Sequence, residues 1–181
     1  MEEVVNELGL GILIMATTPD IGKLKRSYLM HYIDASFGTG ETPKWFLIGR
    51  DIEDMSVELN PDTETVKNIL DETVVNDNGY EPSIDADTYY ANTGDAIYEK
   101  IKDIAMNRLT GDDCKTAILE VLVDKKTGPY DAWTETCIVK PQSYGGAQGG
   151  VNIPFNIAFN GDRQQGTATI EKKVPTFTAT V

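Results

Sequence analysis

The sequence contains few of the residues on which most metal and nucleophilic sites depend. It has two cysteines, Cys114 and Cys137, and a single histidine, His31. Two distant cysteines with no CxxC spacing argue against a disulfide framework and favour a reducing compartment, and Cys137 is expected to be a small buried residue. One histidine excludes a His-rich metal centre. Because His31 has apolar neighbours, we interpret it as a packed residue and expect neither a catalytic site nor a cofactor.

Long hydrophobic runs are also missing. The apolar stretch Leu8–Met15 is interrupted by Gly9 and Gly11, and it is far shorter than the roughly 20 residues that span a bilayer. No basic segment precedes it, which argues against a secretory signal. We therefore expect residues 1–15 to be an N-terminal arm or a mis-assigned start, with Met15 as the hypothesised physiological start, and residues 16–181 to form one domain. An intact mass from the native source distinguishes these alternatives.

Positive charge is scarce, above all in the middle of the chain. The formal net charge is −13, and residues 51–87 contain twelve acids but only one base, Lys67. Tight binding of nucleic acid requires clustered Lys and Arg, so the composition argues against tight DNA or RNA binding. Two interpretations of the acidity remain: it keeps the protein soluble, or it forms a surface that lies near nucleic acid without adhering to it.

The first half of the chain shows strand patterns. Residues 24–36 carry apolar groups on both faces, and residues 44–59 alternate apolar and polar residues. With the glycine-containing loop 37–43 between them, they predict a long β-hairpin arm. The apolar positions change phase near Glu53-Asp54, which predicts a β-bulge there. A hairpin that exposes so much patterned surface predicts a partner, and a second copy of the chain is the simplest one.

One amphipathic helix is predicted in an otherwise β-rich second half. Residues 95–109 place an apolar stripe at helical spacing, with Thr93 or Asp95 as the expected N-cap and Gly111 after the end. The remaining predictions, in chain order, are an ambiguous segment at 63–75, a turn at Asn76–Gly79, a strand at 83–91 with Asp85 and Asp87 on its solvated face, strands at 115–124 and 131–140, a mobile glycine-rich loop at 144–150, and a closing hairpin of 151–159 with 166–173 around Asn160-Gly161.

Four segments together resemble the tail tube proteins of tailed bacteriophages. They are GRDIEDMSVE at 49–58, the acidic turn within 66–79, the hairpin ILEVLVD…WTETCIVKP and the closing NIPFNIAFNGD…GTATI. The resemblance covers about residues 16–181 and is greatest to the non-contractile siphophage type, as in lambda-like tails. It implies a mainly β fold, a β-sandwich or barrel with one flanking α-helix, whose long hairpin arm contributes to a multi-subunit β-barrel.

The resemblance also implies a function and partners. Six copies would close into a ring, and stacked rings would form a tube through which double-stranded DNA passes without specific binding. Its other partners would be tape-measure, tail terminator and tail-tip proteins, with no membrane involved. The subunit would be assembled in the bacterial cytoplasm and reside in the virion tail. The candidate lumen-lining residues are Asp51, Glu53, Asp54 and Glu58, and the candidate inter-ring loop is Phe37, Gly38, Thr39, Gly40, Glu41, Thr42 and Pro43.

Two other classes of protein remain open. A tube subunit of a contractile tail or a related injection device would share the architecture, and a sheath-binding outer surface would distinguish it. A carbohydrate-binding or adhesion β-sandwich would use exposed aromatics such as Trp45 or Trp133, although aromatics at strand positions are more often part of a core. An enzyme is not expected, because no nucleophile lies at a recognisable spacing from a base.

Overall fold

The computed structural model describes residues 22–40, 42–50, 52 and 54–180. The elements formed by these residues, apart from two short 3-10 turns, are β1 (Leu29–Asp34), β2 (Trp45–Ile48), β3 (Val57–Glu58), β4 (Pro61–Lys67), β5 (Thr73–Tyr80), β6 (Ser83–Ala86), α1 (Tyr98–Asn107), β7 (Lys115–Leu122), β8 (Tyr130–Pro141), β9 (Phe155–Phe159), β10 (Gln164–Glu171) and β11 (Val174–Ala179).

Nine strands form one antiparallel sheet in the order β2-β1-β7-β8-β9-β6-β3, and β10 and β11 extend it from β8. Strand β8 is 12 residues long, and one of its edges is shared by two strands. Its first residues pair with β10 and its last with β9. The sheet therefore divides at β8 and curls into a half-barrel with one helix. The expected fold class, mainly β with a single flanking helix, is confirmed.

Two hydrophobic cores lie on opposite faces of this sheet. Neighbouring residues of a strand point to opposite faces, so the pair Ile33↔Ile118 enters one core and the adjacent pair Tyr32↔Leu119 enters the other. The first core is covered by α1 and includes Phe155 and Ile157. The second includes Val121, Ala132 and Ala168. Strand β1 is covered on both sides, as the apolar groups on both its faces predict.

The helix forms where the apolar stripe predicts it, and it buries Ile101 and Ile104. Its C-cap is Arg108, whose backbone is in the left-handed conformation. The Leu109 amide donates to the Ile104 carbonyl over 3.1 Å. The predicted N-cap is wrong, because Ile97 occupies that position with no side-chain hydrogen bond. The Asp95 carboxylate is turned away to accept from the Tyr89 hydroxyl, 3.4 Å away.

The first hairpin is shorter than predicted. Strands β1 and β2 pair from His31↔Ile48 to Asp34↔Trp45, which confirms the pairing. A continuous strand over 44–59 is wrong, and so is the β-bulge, because the described residues between Ile48 and Val57 are not in a strand. The apolar phase changes because the chain leaves β1 and joins β6 at the far edge, with Val57 opposite Ile84.

Two predicted turns are also absent. Asn76–Gly79 lies inside β5, and the turn comes earlier, where the Asn68 side chain accepts from the amides of Leu70 and Glu72 at 2.9 and 3.0 Å. The predicted pairing of 151–159 with 166–173 does not form. Instead β9 and β10 both pair with β8, since Asp162 anchors the connection to the Thr136 amide over 2.8 Å.

Shortening Ile101 tests the packing of the helix. Ile101 is fully buried, so Ile101→Ala is expected to lower the free energy of unfolding by about 2–5 kcal/mol through lost burial and a cavity. Urea denaturation followed by circular dichroism measures the loss. The matched control is Met106→Ala at an exposed helix position, expected to stay within about 0.5 kcal/mol. Equal losses in both variants would contradict the assignment of the buried face.

Candidate functional site

The most exposed element of the described chain is a separate hairpin of β4 and β5, which we call the arm (residues 61–80). These strands pair with each other and form a two-stranded sheet distinct from the main one. All but one of their residues are exposed. At its tip Ile69 is fully exposed and Leu70 is 72 % exposed. A two-stranded hairpin is only marginally stable alone in water, so an arm with an apolar tip is a surface prepared for a partner.

The root of the arm is fixed to the body by polar contacts. The Asn60 side-chain amide donates to the Glu81 carbonyl over 3.0 Å and to the Ser83 hydroxyl over 3.3 Å. The Glu81 amide donates back to the Asn60 carbonyl over 3.2 Å. The two strands therefore leave the body side by side. Sequence reasoning placed an arm at 24–59 and missed this one, although the alternation of Thr and charged residues over 61–67 is a strand signal.

A second feature is the polar face of the sheet opposite the helix-covered core. Glu58 lies beside Ser83 across β3 and β6, and Asp85 is two residues further along on the same face, where the Asn156 amide donates to it. Both carboxylates are exposed, whereas Ile84 between Ser83 and Asp85 is buried. This edge of the sheet thus presents acidic and small polar groups. Asp85 and Asp87 lie on the exposed side of their segment, as predicted.

Two lysines of β7 and β8, Lys115 and Lys140, are already engaged elsewhere. The Lys140 ammonium donates to the Leu109 carbonyl over 3.0 Å. The Lys115 ammonium lies 2.6 Å from the Asp112 carboxylate. Neither lysine is directed at Glu58 or Asp85, so the β3–β6 edge keeps its negative character.

The structure describes two of the four predicted lumen residues. Asp51 and Glu53 lie outside the described residues, Asp54 is exposed in the irregular segment between β2 and β3, and Glu58 is exposed on β3. No contact joins the latter two among the described residues. Their role in a lumen stays a prediction.

The candidate inter-ring loop has a rigid base and an exposed crest. The Asp34 carboxylate accepts from the amides of Ser36 and Lys44, at 2.9 and 2.8 Å. Phe37 is only 6 % exposed and packs into the helix-covered core. The crest residues are exposed: Gly38, Thr39, Gly40, Thr42 and Pro43. Glu41 lies outside the described residues. Phe37 therefore anchors the loop, and the crest is what a neighbour would meet.

A buried charged cluster joins β1, β7 and β8 to Arg163, the residue before β10. His31 Nε2 is 3.2 Å from Glu120, and Arg163 bridges Glu120 and Glu135, at 2.5 and 3.5 Å. The histidine and both glutamates are nearly inaccessible to solvent, and Arg163 also lies over the Trp133 ring. Neighbouring cross-strand pairs, His31↔Glu120 and Ile118↔Glu135, bring the groups together. The packed histidine is confirmed, and its carboxylate partner is what sequence reasoning missed.

The described residues give little support to a reactive thiol or a metal site. Cys114 and Cys137 are free and buried, and burial raises the pKa of Cys137 to about 12, which keeps that thiol protonated and inert. The described part of the chain holds no group of three or more His, Cys, Asp or Glu arranged to bind a metal. None of its helices is long and apolar enough to cross a bilayer.

Comparison with solved structures identifies the architecture. The SPP1 tail tube protein superposes with a TM-score of 0.57 at 14 % identity, over 81 % of each chain. The chain has a tail-tube fold. Two looser matches are the sheath/tube terminator of the extracellular contractile injection system PVC, with a TM-score of 0.48 at 9 % identity over 80 % of this chain and 96 % of that one, and the anti-feeding prophage tube-terminating cap, with 0.45 at 15 % over 87 % and 100 %. No protein-family model and no curated protein sequence matches the chain.

The buried cluster makes the stability of the folded protein depend on pH. Burial raises the pKa of Glu120, but the hydrogen bond from His31 and the charge of Arg163 outweigh burial and hold the pKa below its ordinary value of 4.5. A carboxyl with a lowered pKa in the folded state stabilises the fold above the unfolded pKa. That contribution is lost as the pH falls through the folded pKa.

The variant Glu120→Gln is therefore expected to be less stable at pH 7, by about 1–3 kcal/mol, because Arg163 loses a charged partner. Its stability should also fall less steeply than that of the wild type between pH 5 and pH 3, as measured by urea denaturation across that range. Asp71→Asn on the exposed arm serves as the control. An unchanged acid slope in Glu120→Gln would contradict the role assigned to the cluster.

Proposed function

We propose that this protein is the structural subunit of a phage tail tube, and that six copies close into rings that stack into a conduit for DNA. The observation that carries the proposal is the likeness to the SPP1 tail tube protein along four fifths of the chain. The proposed setting is the tail of the virion, after assembly in the host cytoplasm. The proposed partners are other copies of this chain and tape-measure, terminator and tail-tip proteins.

Unpaired β edges support self-association. Strand β3 is a 2-residue edge strand of the main sheet, and the arm is a hairpin without a third strand. Edges of this kind are usually covered, because their free amide and carbonyl groups template pairing with other chains. Closing a ring of identical subunits, with each edge against the next copy, removes such edges. The arm and the crest of the 37–43 loop are the surfaces proposed to meet the neighbouring ring.

The acidic edge of the sheet supports the conduit. A wall that carries Glu58 and Asp85, and in the proposal also Asp51, Glu53 and Asp54, repels DNA phosphates and keeps the duplex from adhering. The repulsion acts within about 10 Å at 0.1 M salt. The same acidity argues against tight binding of the transported DNA at this wall, because Glu58 and Asp85 cannot release counterions from DNA as a cluster of Lys and Arg would. DNA would therefore slide through without specific contacts.

Assembly of the purified protein tests the proposed subunit role. Negative-stain electron microscopy is expected to show rings or tubes with a central hole, and analytical ultracentrifugation to show large species whose fraction rises with concentration. Seeding with preformed tail tips should accelerate the process if initiation is slow. A protein that stays monomeric at high concentration, with and without seeds, would contradict the proposal.

Charge reversal on the acidic edge tests the conduit. Glu58→Lys and Asp85→Lys are expected to leave tube assembly intact and to slow DNA ejection, because the added cations attract phosphate, and the delay should shrink as salt rises. Ejection rates from virions carrying each variant provide the measurement. Asp113→Lys, an exposed position outside the main sheet, is the matched control. Normal ejection from both edge variants would contradict the lumen assignment.

A further inference from the structure

A groove of about 590 Å³ lies beside β2, and we call it the β2 groove. Its volume falls in the range of about 300–1,000 Å³ typical of ligand-enclosing pockets. The floor is apolar, and three basic side chains surround it: Arg26, Arg50 and Lys173. No carboxylate is among its described lining residues. The described rim is therefore basic, in contrast to the net charge of −13 of the whole chain.

The apolar floor is built from both sides of the first hairpin. It includes Leu29 and Met30 from β1, Phe46 from β2, and Ile52 and Met55 from the irregular segment that follows. Arg26 fastens that segment in place, since its guanidinium donates to the carbonyls of Leu29 and Met55 at 2.6 and 2.9 Å. The groove is thus a formed surface held by hydrogen bonds. The Arg50 guanidinium, 3.8 Å from Asp95, remains largely exposed at its rim.

The arm carries the complementary pattern. Its tip presents the exposed pair Ile69-Leu70, followed directly by Asp71 and Glu72. Residues 61–80 as a whole hold five acids and one base. The turn is ordered in advance by Asn68, whose side chain bonds the amides of Leu70 and Glu72. An apolar tip with adjacent acids matches an apolar groove with a basic rim, and a pre-ordered turn loses little entropy on docking.

The tip of the arm lies far from the β2 groove of its own subunit. Strand β4 is 7 residues long, so at about 3.3 Å a residue the arm carries its tip roughly 23 Å from its root. The root residues Leu59 and Tyr80 border the cavity next to the β2 groove, and Arg26, Leu29, His31 and Met55 line both. Because the arm starts beside the groove and is roughly 23 Å long, its tip is better placed to meet a groove on another molecule.

We propose that the β2 groove of one copy binds the Ile69-Leu70 tip of the arm of a second copy, with Asp71 and Glu72 facing Arg50 and Lys173. This inference rests on the proposed tube function for the presence of neighbouring copies. It adds to that function the receiving surface and the chemistry by which the surface selects the arm.

Cysteine trapping between two variants tests the contact. Ile69→Cys at the tip is mixed with Ser27→Cys, an exposed polar position in the groove lining, under assembly conditions and mild oxidation. Both native cysteines are buried, and a size tag on one variant separates the mixed dimer from either homodimer, so the mixed disulfide reports the tip–groove pair. Docking holds the two thiols at a millimolar effective concentration, so the yield should exceed that with the exposed loop control Gln148→Cys by about tenfold or more.

Charge exchange gives an independent measurement. Arg50→Glu is expected to raise the concentration needed for assembly by up to about fivefold, the range of an exposed ion pair, and adding Glu72→Arg should restore the wild-type value. Lys126→Glu, which makes the same change of charge at an exposed turn outside the groove, should have little effect.

The outcomes distinguish a failure of the docking proposal from a failure of the proposed tube function. Wild-type assembly with no excess of tip–groove disulfide over the control, or with no rescue by Glu72→Arg, overturns the groove and leaves the tube proposal standing. A wild-type protein that never associates overturns both. Selective disulfide formation together with rescue supports the docking of the arm in the β2 groove.

Discussion

The structure depends on how strand β8 is paired along its length. One edge of β8 pairs continuously with β7, while the other is divided between β10 at the start and β9 at the end. The division is held at one point, where Asp162 bonds Thr136 and the Gly161 amide donates to Glu135 over 2.7 Å. From there the sheet curls in two directions, and two cores form on opposite faces.

The branch also places the buried charges. Glu135 lies in the middle of β8, and Arg163 begins the segment that leads into β10, so the connection between the two curled parts carries the cation that neutralises Glu120 and Glu135. Breaking a buried pair of this kind is costly because it leaves an unpaired charge. The cluster thereby favours the one pairing in which Arg163 reaches both glutamates. It fixes the crossover that the sequence pattern around Asn160-Gly161 does not predict.

Local periodicity predicted the elements that bury a regular stripe. Helix α1 shows a helical period, because Ile101 and Ile104 are buried on the same face. Strand β7 shows a period of two residues, because Ile118 and Glu120 point to the same side of the sheet. Pairing partners could not be predicted in this way. Asn160-Gly161 and Asn76–Gly79 both favour tight turns, yet the chain reverses at neither. Asp162 holds the first segment along the edge of β8, and Asn68 orders the turn that comes before the second.

The candidate surfaces were harder to predict for a related reason. The arm lacks a buried stripe, so neither a strict alternation of hydrophobicity nor a helical period marks it, and residues 63–75 remained ambiguous. The β2 groove combines residues from Arg26 to Lys173, which are brought together only by the tertiary fold. The acidity of residues 51–87 was evident from the sequence, but its separation into an arm and a sheet edge depends on where Asn60 and Glu81 clamp the chain.

The arm leaves the body at a single clamp, and this separation has an evolutionary consequence. Substitutions between Pro61 and Tyr80 change an exposed surface without disturbing either core, so their effect on folding is small, while in the proposed assembly their effect on docking is large. In the proposed tube, changes in the arm could therefore alter which neighbours a subunit accepts at little risk to its stability. The two cores and the arm make separate demands on the sequence, and they join at Asn60 and Glu81.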